Sequence, residues 1–219
     1  MTSPGDVARG LATESVAAGD PTGWFERLYS AAGSGDMTVP WHQDGPDPML
    51  VRWAAGLTGD GRRAIVVGCG LGDDAEFVAG LGFATVAFDV APSAIRLAQQ
   101  RFPLSTVDYQ TADLLALPEP WRHAFDLVVE NFTVQSLPES LRERATAAVG
   151  GLVARGGTLI VHATLRRKNA EPRPGPPWPL TRAEVEAFAA DGLVVHRIAE
   201  VPEPDHPTYK VWQAEYHRR

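Results

Sequence analysis

Cysteine is almost absent: Cys69 is the single one in 219 residues. A lone thiol cannot close an internal disulfide, which excludes the stapled secreted scaffolds. No apolar run is long enough to span a bilayer, and the first residues lack the basic-then-apolar pattern of a secretory leader. The expectation is a cytoplasmic protein that makes no membrane contact. Positive charge is not in excess either. The formal balance is −7, which argues against nucleic acid as a partner, because phosphate backbones are met by basic surfaces. The six histidines at positions 42, 123, 162, 196, 206 and 217 are scattered, without the close spacing of a ligand set, so no metal is expected. No serine sits in a nucleophile-elbow setting. Repeats and low-complexity tracts are missing too.

What is present is the composition of an ordinary globular chain, 44% hydrophobic and 21% charged, long enough to bury one substantial core. Residues 1–20 are rich in Gly, Ala, Ser and Thr and poor in large apolar groups. They are expected to be a flexible or weakly helical terminus, ahead of a single domain over 21–219.

The rest is organised around residues 64–76, AIVVGCGLGDDAE. A short apolar run bounded by glycines reads as a buried parallel strand. Gly68, Gly70 and Gly72 let the chain turn sharply, and the helix that follows presents free N–H groups to a ligand. A dinucleotide turn follows G-x-G-x-x-G. Here the third position is Asp73, and the two aspartates would repel a pyrophosphate but not a ligand carrying an ammonium. A second strand, residues 84–89, ends in Asp89, roughly 20 residues beyond the motif, where a carboxylate can hold ribose hydroxyls. Capping of the next helix is the plainer use of Asp89. A third strand at 107–111 leads into Asp113 and Leu114. The fourth, 125–129, runs into Glu130-Asn-Phe-Thr-Val-Gln135, and in an open α/β sheet such carboxyl ends line the ligand crevice.

The G-x-G-x-G turn followed by acid resembles motif I of the class I S-adenosylmethionine-dependent methyltransferases. The segments PWHQDGP at 40–46 and GPPWPLTRAEVEAF at 175–188 resemble the small-molecule branch, the thiopurine, tellurite, thiocyanate and halide group. The resemblance implies a Rossmann-like, doubly wound, seven-stranded sheet, mostly parallel with an antiparallel last strand, under an N-terminal helical lid over residues 24–53. It implies S-adenosylmethionine as cofactor, held by Trp41, Gly68, Cys69, Gly70, Gly72, Asp89, Val90, Asp113, Leu114 and Glu130, with Asp113 beside the adenine amino group. Trp41 has two readings, a core tryptophan or a ring that closes the site and faces a sulfonium. Cys69 reads as a small packing residue.

Methyl transfer from a sulfonium is an in-line displacement and needs no covalent nucleophile. Several relatives place a histidine a few residues beyond the fourth strand; this chain has Gln135, which cannot take a proton. Acceptors that are already nucleophilic, such as thiols, halides or chalcogens, and phenol-type oxygens, are therefore expected. Glu130 and His162, at the ends of strands four and five, are the remaining candidate bases, with a core or rim histidine as the plainer reading of His162. The competing function is a non-catalytic or regulatory S-adenosylmethionine-binding protein of the same fold. A small-molecule acceptor is the expected partner, and a monomer or homodimer the expected assembly.

Overall fold

The computed structural model describes residues 3–167, 170, 175–203 and 209–219. Lys168, which follows Arg166 and Arg167 in a short basic run, and most of the proline-rich residues 202–207 lie outside them. Seven strands form one sheet: β1 (Arg63–Val67), β2 (Ala84–Asp89), β3 (Asp108–Thr111), β4 (Phe125–Asn131), β5 (Val153–Thr164), β6 (Leu193–Pro202) and β7 (Lys210–Arg218). Their order is β3-β2-β1-β4-β5-β7-β6. β1 to β5 pair in parallel, and β7 runs antiparallel to both neighbours. The chain leaves β1 for β2 and β3 on one side and returns to β4 on the other. The carboxyl ends of β1 and β4 therefore flank the point where a ligand crevice opens in such sheets.

Alternation along β1 explains the layers. Ala64 and Val66 face one core, which takes in Ala75 and Val78 of α4 (Asp73–Gly80) and Ile95 and Ala98 of α5 (Pro92–Arg101). Ile65 and Val67 face the other, closed by α6 (Glu139–Leu152) and by Val185 of α7 (Arg182–Glu186) with Phe188 beyond it. A strand buried on both faces is apolar throughout, as the sequence shows.

The N-terminus departs from expectation. Of the two expected states, flexible or weakly helical, the terminus takes the helical one in full: α1 (Pro4–Ala17) is a regular helix opened by a capping box between Ser3 and Asp6. Its small residues Ala8 and Ala12 pack with Trp24, Leu28 and Tyr29 of α2 (Gly23–Gly33) in a third cluster. Low hydrophobicity suggested a loose chain; small side chains that permit close helix contact were the feature to weigh. Nor does 24–53 behave as one unit. Glu26 of α2 accepts from the backbone N–H and the hydroxyl of Ser93 at the start of α5 (2.9 and 2.5 Å), so α2 is bolted to the sheet layer. The cavity at the carboxyl edge is lined by Trp24, Phe25 and Tyr29 of α2 together with residues of the stretch 39–47 that leads into α3 (Pro48–Trp53).

Gly156 and Gly157 form a pair of the kind that often ends a helix. α6 already ends at Leu152 and β5 begins at Val153. The glycines lie inside β5, where the register slips between Phe125 and Leu127 of β4. A glycine pair marks a bulge as readily as a helix end.

Candidate active site

A cavity of about 600 Å³ opens at the carboxyl ends of β1, β2 and β4, within the range of small-molecule sites. The turn after β1 forms its floor. Gly68 and Gly70 both have left-handed φ, +60° and +51°. The Gly70 N–H donates to Asp89 Oδ2 at 3.0 Å, and Asp89 Oδ1 accepts from the Ala91 N–H at 2.9 Å. Asp89 is thus the brace between the glycine turn and the start of α5. It is also buried on the cavity wall, and burial raises its carboxyl to about 6 against those hydrogen bonds.

Trp41 lies across the opening, 47% exposed, and its indole N–H donates to the Tyr29 hydroxyl at 3.1 Å. It meets Trp24 edge to face at 5.9 Å. Trp24 is the buried ring of the pair, and among the described residues its indole N–H has no partner. Val90, Leu114 and the exposed Asp113 complete one end of the wall, with Asp113 Oδ1 accepting from the Leu115 N–H at 2.8 Å. At the other end stand Pro176 and Pro177. They are positioned by the Trp178 N–H donating to the Gln135 carbonyl at 2.8 Å and by Arg142, which donates to the Trp178 carbonyl at 3.0 Å and pairs with Glu184.

The cavity is thus walled by a glycine-rich turn, by the carboxylates of Asp74, Asp89 and Asp113, and by flat apolar rings. The family model for thiopurine S-methyltransferase (TPMT) matches residues 34–214, which spans this whole site beyond α1 and α2. The chain belongs to the thiopurine S-methyltransferase family. Its cofactor class is accordingly S-adenosylmethionine.

A ubiquinone biosynthesis O-methyltransferase of Xanthomonas campestris pv. campestris is 32% identical over 142 residues, 59% of this chain and 57% of the relative. The chain thus aligns with little more than half the length of that relative. Among solved structures, a 1,6-didemethyltoxoflavin-N1-methyltransferase of Burkholderia thailandensis, with bound 1,6-didemethyltoxoflavin and S-adenosylhomocysteine, superposes with a TM-score of 0.68 at 16% identity, over 89% of this chain and 86% of that one. The N-methyltransferase NodS of Bradyrhizobium japonicum WM9, in complex with S-adenosylhomocysteine, gives 0.67 at 18% identity over 90% and 97%. Both share the fold of this family member.

Of the sequence-predicted residues, Trp41, Gly68, Cys69, Gly70, Asp89, Val90, Asp113, Leu114 and Gln135 meet at the cavity. Three do not. Gly72 is the N-cap of α4, at φ +94°, where an added Cβ would lie 2.5 Å from the Tyr109 hydroxyl; it serves helix packing. Glu130 points into the core. Its Oε1 accepts from the N–H groups of Thr133 and Val134 (2.8 and 2.7 Å) and its Oε2 is buried unpartnered, so burial raises the carboxyl to about 7. His162 is fully buried and lowered to about 4 by burial. Gln135 is on the wall, but its Oε1 is taken by the Thr164 N–H at 2.6 Å, which makes it a wall-holding residue.

The structure adds Asp74 and Asn131. Asp73 is neutralised by Arg101, which grips it at 2.7 and 2.9 Å. Both aspartates line the cavity, but among the described residues Asp74 has no cationic partner: it accepts from the Asp47 N–H and from Asn131 Nδ2, both at 2.8 Å. Burial raises its carboxyl to about 6. Because the Asn131 amide nitrogen is spent on Asp74, its oxygen must accept from His162 Nδ1 at 3.0 Å. His162 Nε2 is then the acceptor for Gln213 at 3.0 Å. His162 is the neutral middle of a chain that orients Asp74. Strand alternation carried this signal: Glu130 and Asn131 must point to opposite faces.

Proposed function

We propose that this chain transfers a methyl group from S-adenosylmethionine to an aromatic thiol or phenol. The observation that carries the cofactor half is the convergence of the glycine turn, Asp89 and Asp113 on one cavity. When bound, the cofactor supplies an electrophilic methyl on a sulfonium. In this reading Asp89 holds the ribose hydroxyls, Asp113 the adenine amino group, and Asp74 the ammonium of the methionine end. The rings of Trp41, Phe25 and Phe132 on the cavity wall exclude water and favour a flat acceptor. The chain's own part would be to hold the acceptor in line with that methyl and shut out water, the acceptor having already lost its proton to solvent. Gln135 cannot take that proton, and Glu130 and His162 lie off the cavity, which favours acceptors acidic enough to ionise unaided. The Xanthomonas relative's name, an O-methyltransferase, agrees with the phenol branch.

The test is an assay of labelled methyl transfer across aromatic thiols, phenols, quinols, halides and amines. Turnover of a thiol or phenol is expected to exceed that of amines by at least tenfold. Faster turnover of amines would overturn the acceptor class. Cofactor binding without turnover of any acceptor would favour a non-catalytic binding protein.

A further inference from the structure

The hairpin that closes the sheet gathers three ligating side chains far from the glycine turn. Glu215 and His217, two residues apart on β7, share a face. His196 belongs to β6, at the bulge where the register shifts between Val195 and Arg197. An extra residue in one strand re-aims a side chain, and here it lays the His196 ring on that of His217, with centroids 4.5 Å apart and planes at 16°. His217 Nε2 is 2.7 Å from Glu215 Oε1. The other carboxylate oxygen is fixed by the indole N–H of Trp53 on α3, which donates to Oε2 at 2.9 Å. One ligand atom from each of the three residues lies within 4.8 Å of the other two.

We propose that His196, Glu215 and His217 bind a divalent late transition metal, Zn²⁺ or Cu²⁺, at the exposed face of the β6–β7 hairpin. Two imidazole nitrogens and one carboxylate oxygen suit these ions, whereas Mg²⁺ and Ca²⁺ take oxygen ligands almost alone. Bond lengths of about 2.0–2.1 Å set tetrahedral ligand atoms roughly 3.4 Å apart. To reach that spacing the His217 Nε2 and Glu215 Oε1 atoms, now 2.7 Å apart, would spread slightly, and the exposed His196 ring would turn to meet the ion. Three protein ligands leave a fourth position for water. Trp53 does for Glu215 what outer hydrogen bonds do for metal-bound carboxylates. Arg197, paired with Glu215 in the ladder, is exposed, and its long stem carries the charge into water. The ion joins the edge strand β6 to β7 and, through Trp53, to α3, so it acts on the hairpin's stability and not on the cavity.

The experiment is equilibrium dialysis of the tag-free, chelator-stripped full chain against Zn²⁺, with bound metal counted by atomic emission. One Zn²⁺ per chain is expected, and at least a tenfold weaker affinity in His196→Ala and in His217→Gln. Trp53→Phe should weaken it less, and S-adenosylhomocysteine binding should be unchanged in His196→Ala. No bound Zn²⁺, equal affinity for Mg²⁺, or undiminished binding in both histidine variants would overturn the proposal.

Discussion

Glu130 holds two backbone N–H groups through one oxygen while the other is buried without a partner. Its pKa is raised from 4.5 to about 7, so ionising it costs the native state. The cost is absent below about 4.5, grows as the pH rises and is complete above about 7. Glu130→Gln removes it while keeping an acceptor for the two N–H groups. The variant's melting temperature should gain on the parent's as the pH rises from 4.5 to 8, by on the order of 5 °C in a chain this size. His162, lowered to about 4, has the opposite slope but is common to both proteins. A difference in melting temperature independent of pH would contradict the assignment. The same residue shows a limit of sequence reading. Glu130 and His162 are reactive residue types at strand ends, and that suffices to nominate them. Which face each occupies follows from alternation, and whether that face is core or cavity follows from the helices packed on it.

At the scale of elements, the glycine turn divides its work. Gly70 shapes the cavity floor, whereas Gly72 lets α4 approach β3, with Tyr109 donating to Glu76 of α4 at 2.7 Å. Gly72→Ala should destabilise the protein by on the order of 2–3 kcal/mol, from the left-handed backbone and the displaced Tyr109 ring. Denaturant unfolding measures this, and a loss under about 0.5 kcal/mol would contradict it. That the two aspartates repel a pyrophosphate was legible, but the separation of their roles was not. Arg101, 28 residues after Asp73, pairs with that aspartate and leaves Asp74 without a cationic partner among the described residues. The strands and most helices were legible because both periodicities are clean in this chain. The N-terminal helix was not, because a helix built on alanines and a capping box carries little apolar signal of its own.

The whole molecule follows from one reversal of strand order between β1 and β4. Gly68 and Gly70 after β1, Asp89 at the end of β2 and Asp113 after β3 reach that crevice from separate strand ends, which is why the spacing of G-x-G-x-G and Asp89 was informative at a distance. The end of the cavity proposed here for the acceptor was less legible, since its lining comes from segments that meet only in three dimensions: 39–47, 131–135 and 176–177. The central claim is that this crevice is an S-adenosylmethionine site braced by Asp89. A calorimetric titration of the full chain and of Asp89→Ala with S-adenosylhomocysteine, with NAD as control, tests it most directly. The account predicts one site per chain, no heat with NAD, and an affinity reduced about tenfold or more in Asp89→Ala, the size expected for lost hydrogen bonds to a charged group. Because Asp74 and Asp89 are both raised to about 6 and act ionised, the affinity should also fall as the pH is lowered through that value. Binding of NAD in place of S-adenosylhomocysteine, or an affinity indifferent to Asp89→Ala, would contradict it.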